Sequence, residues 1–141
     1  MPRSFDFRQA PGHLIRRAHQ KSVAIFMEEV ASADVTPVQF AILNALIDDP
    51  GMDQVTLAAR VGFDAATSGS VIGRLEAKGW IQREADAADR RRKLLWATPA
   101  GAQVAQSLKR AAARAQQRIL QTLEPAERAQ FVALLQKITR D

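Results

Sequence analysis

Residue types that support many enzyme and metal chemistries are scarce in this sequence. It contains no cysteine, no tyrosine and only two histidines among its 141 residues. Without cysteine the chain forms no disulfides, and thiolate zinc sites and cysteine-based redox sensing are excluded. His13 and His19 are six positions apart, so on one helix they lie on different sides and cannot chelate a metal ion together. We therefore expect neither a metal nor another cofactor.

Long apolar runs and catalytic motifs are also missing. No run approaches the roughly 18 apolar residues of a membrane span, and the first residues, MPRSFDFRQAPGH, lack the apolar stretch of a signal peptide. The sequence has no glycine-rich phosphate loop, no G-x-S-x-G elbow and no H-E-x-x-H motif. These absences predict a cytoplasmic protein that is not an enzyme and has no membrane partner.

The composition is that of one globular domain with a basic surplus. Hydrophobic residues make up 47% of the chain and charged residues 25%, and the formal net charge is +5. Such a surplus indicates a polyanionic partner such as nucleic acid, although a solvated surface without any polyanion partner has the same composition.

The first half of the chain reads as helices joined by turns. Apolar residues at helical spacing predict a first helix from His13 to about Ala31. The stretch TPVQF predicts the start of a second helix, because Thr36 and Gln39 are placed as a capping box. The predicted apolar face of this second helix consists of Val38, Ala41, Ile42, Ala45 and Leu46.

Two shorter helices follow, joined by the tight turn GFD. Asp53 is placed to cap the first, which should end at Gly62, and Asp64 is placed to cap the second, which should end at Gly79. Two short helices connected this closely predict a helix-turn-helix.

The pattern then changes to that of strands. WIQRE and KLLWA predict a β-hairpin around the basic loop ADAADRRR, and two further helices should begin near Pro99 and Pro125. The predicted fold class is therefore mainly α with a small β-hairpin.

The second short helix carries small and hydroxyl-bearing residues on its presumed outward face. Such a face lets a helix backbone approach a DNA groove, and its polar side chains can contact phosphates and base edges. Packing against another protein surface would also favour small residues, so the helix alone leaves both interpretations open. Its candidate DNA-contacting residues are Thr67, Ser68, Ser70 and Arg74, beside Gly69 and Gly73.

The hairpin loop carries the consecutive cations Arg90, Arg91, Arg92 and Lys93. A basic run is often only a solvated face. Here it follows a helix-turn-helix and lies between two strands, where arginines can reach into the minor groove of DNA. Asp89 lies two residues before Arg91 and can hold its guanidinium extended. We therefore add Asp89, Arg90, Arg91 and Arg92 to the candidate DNA-contacting residues.

The segment DAADRRRKLLWATPAG, residues 86–101, resembles the wing signature of the MarR-type winged helix-turn-helix regulators, which is roughly D-P-x-D-R-R-x-x-x-L-x-L-T-x-x-G. Ala87 replaces the usual proline and Ala97 a usual leucine, and neither change removes a DNA-contacting group. The stretches TPVQFAILNAL, VTLAARVG and SGSVIGRLEAKGWIQRE also resemble family helices, so the resemblance covers nearly all of the chain after about residue 10. The matching wing positions are Asp86, Asp89, Arg90, Arg91, Leu95, Thr98 and Gly101.

The resemblance implies one MarR-type domain over residues 1–141. Helices within 11–32 and 100–141 would form an intertwined dimerisation region, and residues 36–98 would form the winged helix-turn-helix. Ala65–Lys78 would then be the recognition helix of a homodimer that binds double-stranded DNA at a pseudo-palindromic operator. The implied location is the bacterial cytoplasm, in association with the nucleoid.

Many members of the family are repressors that a small ligand releases, and this ligand is often aromatic and anionic. The start GHLIRRAHQ resembles members that control aromatic-acid catabolism, which suggests that this helix clamps a carboxylate. Solvent exposure or salt bridges between subunits would equally explain its cations. The candidate ligand-binding residues are His13, Arg16, Arg17 and His19, with an apolar wall from Ile15, Phe40, Leu43 and Trp80.

The function predicted from the sequence is that of a homodimeric, sequence-specific DNA-binding repressor that a small aromatic carboxylate or phenolic ligand releases from DNA. The alternative is a dimeric winged-helix adaptor that binds a protein and has no specific DNA binding. Salt separates the two, because affinity for DNA falls steeply as a power of salt concentration.

Overall fold

The computed structural model describes residues 4–140, which form six α-helices and a three-stranded antiparallel sheet, with one 3-10 turn near the N terminus. The mainly helical class with a β-hairpin is confirmed. The helices are α1 (Pro11–Glu29), α2 (Pro37–Asp48), α3 (Gln54–Val61), α4 (Ala65–Ala77), α5 (Pro99–Ile119) and α6 (Pro125–Ile138). The strands are β1 (Met52–Asp53), β2 (Ile81–Ala85) and β3 (Lys93–Ala97).

Helices α2, α3 and α4 begin after the predicted capping residues Thr36, Asp53 and Asp64. The Thr36 side chain accepts from the Gln39 amide, and the Gln39 side chain accepts from the Thr36 amide, each at 3.2 Å, which completes the capping box. Asp53 accepts from the amide of Thr56 at 3.4 Å and caps α3. A carboxylate at this position also interacts favourably with the positive end of the helix dipole.

The described chain divides into two compact units. One, which we call the central unit, is Val30–Arg110, and the other, the helical unit, contains residues 4–29 and 111–140. The division falls within α5, after Arg110.

The core of the central unit is built from the inward faces of its helices and sheet. The face that α2 buries differs from the predicted one, because Val38 is 39% exposed whereas Gln39 is only 6% exposed. Gln39 tolerates burial because its side-chain oxygen accepts from the Thr36 amide and, at 3.4 Å, from Lys78 Nζ. The buried cluster consists of Ile42, Leu43, Leu46, Met52, Leu57, Ile72, Leu75, Ile81, Leu95 and Ala105.

The sheet adds one strand that the sequence did not reveal. Its order is β1-β3-β2, with Ile81 opposite Ala97 and Ala85 opposite Lys93 in the hairpin. The two-residue strand β1 pairs with β3 through Asp53 opposite Leu94. The hairpin, which we call the wing (residues 81–97), is therefore hydrogen-bonded to the residues that lead directly into α3.

The helical unit is held together by an ion-pair cluster between α1 and α5. Glu29 accepts from Arg114 Nε at 3.0 Å and from Arg118 Nη1 at 3.2 Å. The hydrogen bond from Arg114 is the largest cause that lowers the pKa of Glu29, so the cluster is charged at neutral pH. Several large apolar side chains of this unit remain exposed: Leu14 and Ile15 on α1, and Val132, Leu134 and Ile138 on α6.

Candidate nucleic-acid interface

The N terminus of α4 is fixed by Asp64, whose side chain accepts from the Thr67 amide at 2.8 Å. The Thr67 hydroxyl donates to the same carboxylate, and this bond is the largest cause that lowers the pKa of Asp64. Because the hydroxyl proton of Thr67 is used within the chain, the oxygen can only accept from an outside partner. This limits how Thr67 could contact DNA, since phosphate oxygens are themselves acceptors.

Ser68 lies on the inner side of α4. It is 3% exposed, and its hydroxyl oxygen accepts from Gln54 Nε2 at 3.4 Å, which links α4 to the start of α3. Thr67, Ser70 and Arg74 are the members of the predicted α4 set that reach the surface. Within residues 4–140, Arg74 has no acidic partner at ion-pair distance, so its charge is available to an outside anion.

The two glycines of α4 border open space. A Cβ atom placed at Gly69 or at Gly73 would have no atom of the described chain within 4 Å, apart from the backbone of the helix itself. Each glycine lowers helix propensity by about 1 kcal/mol relative to alanine. Packing within the central unit therefore does not account for either glycine.

The tip of the wing is shaped by local hydrogen bonds. Asp89 Oδ1 accepts from the Arg91 amide at 3.1 Å and from Arg91 Nε at 3.4 Å, which is the predicted arrangement of acid and guanidinium. The Arg91 side chain is nevertheless 93% exposed. Arg90 is exposed as well, with no ion pair among the described residues.

Arg92 differs from these neighbours. Its Nη1 donates to Asp86 Oδ2 at 3.1 Å, and its Nη2 donates to Asp53 Oδ1 at 3.5 Å. Both acids are sheltered, with side chains 18% and 15% exposed, whereas Asp89 at the tip is 52% exposed. The four cations of the loop are therefore not equivalent, and the pairing of Arg92 with Asp53 has no signal in the local sequence.

The base of the wing is anchored at the start of α5. The Thr98 hydroxyl donates to the Gly79 carbonyl at 2.6 Å and accepts from the Gly101 amide at 3.1 Å. The Thr98 amide donates to the Trp80 carbonyl at 2.9 Å. Thr98 and Gly101, the last two matches to the wing signature, thus join the start of α5 to the segment between α4 and β2.

The predicted ligand-binding cations lie together on the first turns of α1, in the helical unit. Arg16 Nη2 lies 3.1 Å from His13 Nδ1, and Phe7 packs edge-on against the His13 ring with centroids 5.2 Å apart. Arg16, Arg17 and His19 are exposed, and none of them forms an ion pair within the described part of the chain.

Of the residues predicted as an apolar wall, Phe40, Leu43 and Trp80 belong to the central unit and Ile15, which is 48% exposed, to the helical unit. Leu43 is fully buried in the core of the central unit, whereas Phe40 and Trp80 are partly exposed. Lys78 Nζ lies over the Trp80 ring, 4.5 Å from its centroid, and forms an ion pair with Asp34 Oδ2 at 3.5 Å. Sequence reasoning missed Lys78 because its partner is distant in the chain. The assignment of ligand-binding residues stays a prediction.

No helix in residues 4–140 has the length and apolar character to cross a membrane. Over the same range, no group of three or more histidine and acidic side chains is arranged to hold a metal ion.

Comparison with known proteins places the chain among transcriptional regulators rather than enzymes. Residues 33–92 match the model of the MarR family. The HTH-type transcriptional repressor NicR of Pseudomonas putida is 30% identical over 134 residues, which is 95% of this chain and 85% of that protein. Among solved structures, PcaV of Streptomyces coelicolor in complex with its natural ligand is 36% identical with a TM-score of 0.88, over 96% of this chain and 95% of PcaV. BpsR of Bordetella bronchiseptica, described with regulation of its DNA binding by 6-hydroxynicotinic acid, is 35% identical with a TM-score of 0.90, over 98% of this chain and 99% of BpsR. The chain belongs to the MarR family of transcriptional regulators.

Proposed function

We propose that this regulator is a homodimeric, sequence-specific repressor, and that a small aromatic carboxylate or phenol releases it from double-stranded DNA. The observation that carries the DNA-binding part is that Arg74 on α4 and Arg90 on the wing are exposed and have no ion pair within residues 4–140, and that Gly69 and Gly73 leave a face of α4 open. NicR, a repressor by name, and BpsR, whose DNA binding is regulated, support the same function.

In the proposed complex, α4 lies in the major groove. Gly69 and Gly73 let its backbone approach the DNA closely, and Arg74 reaches a phosphate or a guanine. The wing places Arg90 and Arg91 at the minor groove, where the negative potential of the DNA is strongest. Phosphate contacts supply most of the affinity in this arrangement, and α4 supplies the sequence preference.

The proposed dimer would bury apolar surface of the helical unit. Leu14 and Ile15 on α1 are about half exposed, at 52% and 48%, and Ile138 on α6 is 65% exposed. Apolar side chains at this density in one small unit are typical of an interface. A two-fold dimer presents two copies of α4, so the operator should be pseudo-palindromic.

The proposed effector site uses the cations on the first turns of α1. Arg16 and Arg17 can bind a carboxylate through paired N–H donors, and His13 and His19 can add further donors when protonated. The carboxylate ligand 6-hydroxynicotinic acid, which regulates DNA binding of BpsR, supports an aromatic acid as the class of effector.

A selection experiment tests this proposal. The purified protein is used to enrich duplexes from a random-sequence pool, and sedimentation measures the mass of the free protein and of its complex. We expect an inverted-repeat motif, a dimer in solution and binding that weakens steeply with salt. A pool without an enriched motif would overturn sequence-specific binding and favour the protein-binding adaptor. A monomer that binds a single half-site would overturn the dimer.

A further inference from the structure

The cations of the wing divide into two classes according to their partners. Arg91 is paired only with Asp89, two residues before it, and Arg90 and Lys93 have no ion pair among residues 4–140. Arg92 alone in this run contacts two carboxylates, from Asp86 and Asp53. We call Asp53, Asp86 and Arg92 the wing brace.

The first half of the brace closes the loop. Asp86 directly follows β2 and Arg92 directly precedes β3, so this pair stands at the base of the loop that carries Arg90 and Arg91. The Asp86 amide donates to the Arg92 carbonyl at 2.8 Å, and the side chains meet at 3.1 Å. Asp86 Oδ1 also accepts from the Ala88 amide at 2.9 Å. The loop is therefore fixed at its base by both main chain and side chains.

The second half of the brace joins the wing to the helix-turn-helix. Asp53 ends β1, lies opposite Leu94 of β3 and caps α3 through Thr56. The amide of Thr56 donates to Asp53 Oδ2, whereas Arg92 Nη2 donates to Asp53 Oδ1 at 3.5 Å, although Asp53 and Arg92 are 39 positions apart in the chain. One carboxylate thus contacts the first turn of α3 and the base of the wing together.

The wing brace contains two carboxylates and one guanidinium, so as a group it does not attract the phosphates of DNA. The pKa of Asp86 is lowered, mainly by the Ala88 amide, and the pKa of Asp53 is lowered, mainly by the Thr56 hydroxyl. Both acids are therefore ionised at neutral pH, and two negative charges surround one guanidinium. A phosphate that approached Arg92 would meet this pair of carboxylates as well.

From this geometry we propose that Arg92 is a positioning residue: with Asp86 and Asp53 it holds the wing loop on α3 so that Arg90 and Arg91 are presented to DNA, and it contacts no phosphate itself. The inference rests on the proposed DNA-binding function. It replaces the expectation that Arg92 binds DNA directly.

Removal of the Asp86 carboxylate should weaken DNA binding, whereas removal of an acid near DNA usually strengthens it. Asp86→Asn makes the protein more positive by one charge, so electrostatics alone would tighten binding. Loss of the brace instead lets the loop move, and the loop must then be ordered on binding. We expect binding to weaken by about two- to tenfold, the range for ordering one or two side chains at an interface.

Glu84→Gln is the matched control, because it removes the same charge from the same hairpin. Glu84 is exposed on β2, and its described side-chain partner is Gln82 Nε2 at 2.8 Å. Both variants and Arg92→Gln are titrated with a duplex selected by the wild-type protein, over a series of salt concentrations. Circular dichroism checks that each variant is folded.

The salt slope distinguishes positioning from contact. Arg90→Gln should reduce the slope of log affinity against log salt by about 0.9, the value for one phosphate contact. Arg92→Gln should weaken binding with the wild-type slope, and the double variant Asp86→Asn/Arg92→Gln should bind no worse than Arg92→Gln alone. Tighter binding by Asp86→Asn, or a slope for Arg92→Gln that falls as for Arg90→Gln, would overturn the proposal. The second result decides even where Asp86→Asn does not fold.

Amide hydrogen exchange without DNA separates this proposal from the proposed function. The amides of Ala88, Arg91 and Arg92 donate hydrogen bonds to Asp86 Oδ1, Asp89 Oδ1 and the Asp89 carbonyl, so their exchange rates report the order of the loop directly. They should exchange faster in Asp86→Asn than in Glu84→Gln. Equal exchange in the two variants would overturn the brace, whereas faster exchange in a protein that selects no duplex would count against the DNA-binding function alone.

Discussion

A Cβ atom at Gly101 would lie 2.0 Å from the backbone oxygen of Trp80, which is closer than any real side-chain contact. The approach brings the first turn of α5 against the residue that precedes β2, where the Trp80 carbonyl also accepts from the Thr98 amide at 2.9 Å. Glycine is therefore required at this position by packing. In this chain the glycine at this position of the wing signature has a packing role that does not involve DNA contact.

Substitution of Gly101 by alanine should destabilise the fold, because the backbone of Trp80 cannot move away without breaking its bond to Thr98. We expect a loss of about 1–3 kcal/mol in the free energy of unfolding, the range for overpacking. Gly12→Ala is the control, since nothing lies within 4 Å of a Cβ atom there. Chemical denaturation measures both, and equal midpoints for Gly101→Ala and wild type would contradict this account.

Substitution of Gly69 by alanine should separate stability from DNA binding. The added methyl group meets open space within the described chain, and helix propensity should raise the free energy of unfolding by up to about 1 kcal/mol. The same methyl group would hold α4 away from the groove floor, so affinity for the selected duplex should fall. A variant that is more stable and binds DNA as tightly as wild type would show that close approach occurs elsewhere.

The wing arginine Arg91 should contribute directly to DNA affinity. Arg91→Ala should weaken binding to the selected duplex by roughly 1–3 kcal/mol, the value of one specific groove contact. Arg140→Ala removes the same charge from the exposed end of the chain after α6 and should change affinity little. Fluorescence anisotropy measures both, and equal affinities of the two variants would mean that Arg91 is only surface charge.

The cations of α1 should affect the response to ligand without affecting DNA binding. Arg16→Ala and His19→Ala should bind the selected duplex as wild type does, because we assign neither residue to the DNA surface. Release of the duplex by aromatic acids, among them hydroxylated pyridine carboxylates, benzoates and cinnamates, should require higher ligand concentrations in both variants. Normal release of both variants by a ligand that acts on wild type would refute the carboxylate clamp.

Acid should destabilise the helix-turn-helix through its capping carboxylates. The pKa of Asp64 is lowered, first by the Thr67 hydroxyl, below the value of about 3.9 that an aspartate has in an unfolded chain. The stabilisation by a carboxyl of lowered pKa is complete above the unfolded value and is lost as the pH falls through the folded one. The free energy of unfolding should therefore fall below about pH 4, and less steeply in Asp64→Asn. Identical pH profiles would contradict this assignment.

Local signals in the sequence predict the helix starts well. Thr36, Asp53 and Asp64 each cap a helix through a residue three positions later, so a short window contains both partners. The contact between Asp89 and Arg91 in the wing was predictable for the same reason, since the two residues are two positions apart.

Features that depend on distant partners were not predictable in this way. Strand β1 has two residues and exists because β3 pairs with it from more than 40 positions away. Gln39 is buried with donors from the Thr36 amide and from the distant Lys78, and Arg92 is paired with the distant Asp53 as well as with Asp86. In each case a partner from another element, which no local pattern reveals, sets the surroundings of the residue.

The central claim is that α4 and the wing read DNA sequence. The most direct measurement compares the dissociation constants of the wild-type protein for its selected duplex and for a shuffled duplex of the same composition, at one moderate salt concentration. The account predicts a preference of at least about 1,000-fold, the lower end for specific DNA-binding proteins. Equal dissociation constants for the two duplexes would contradict it.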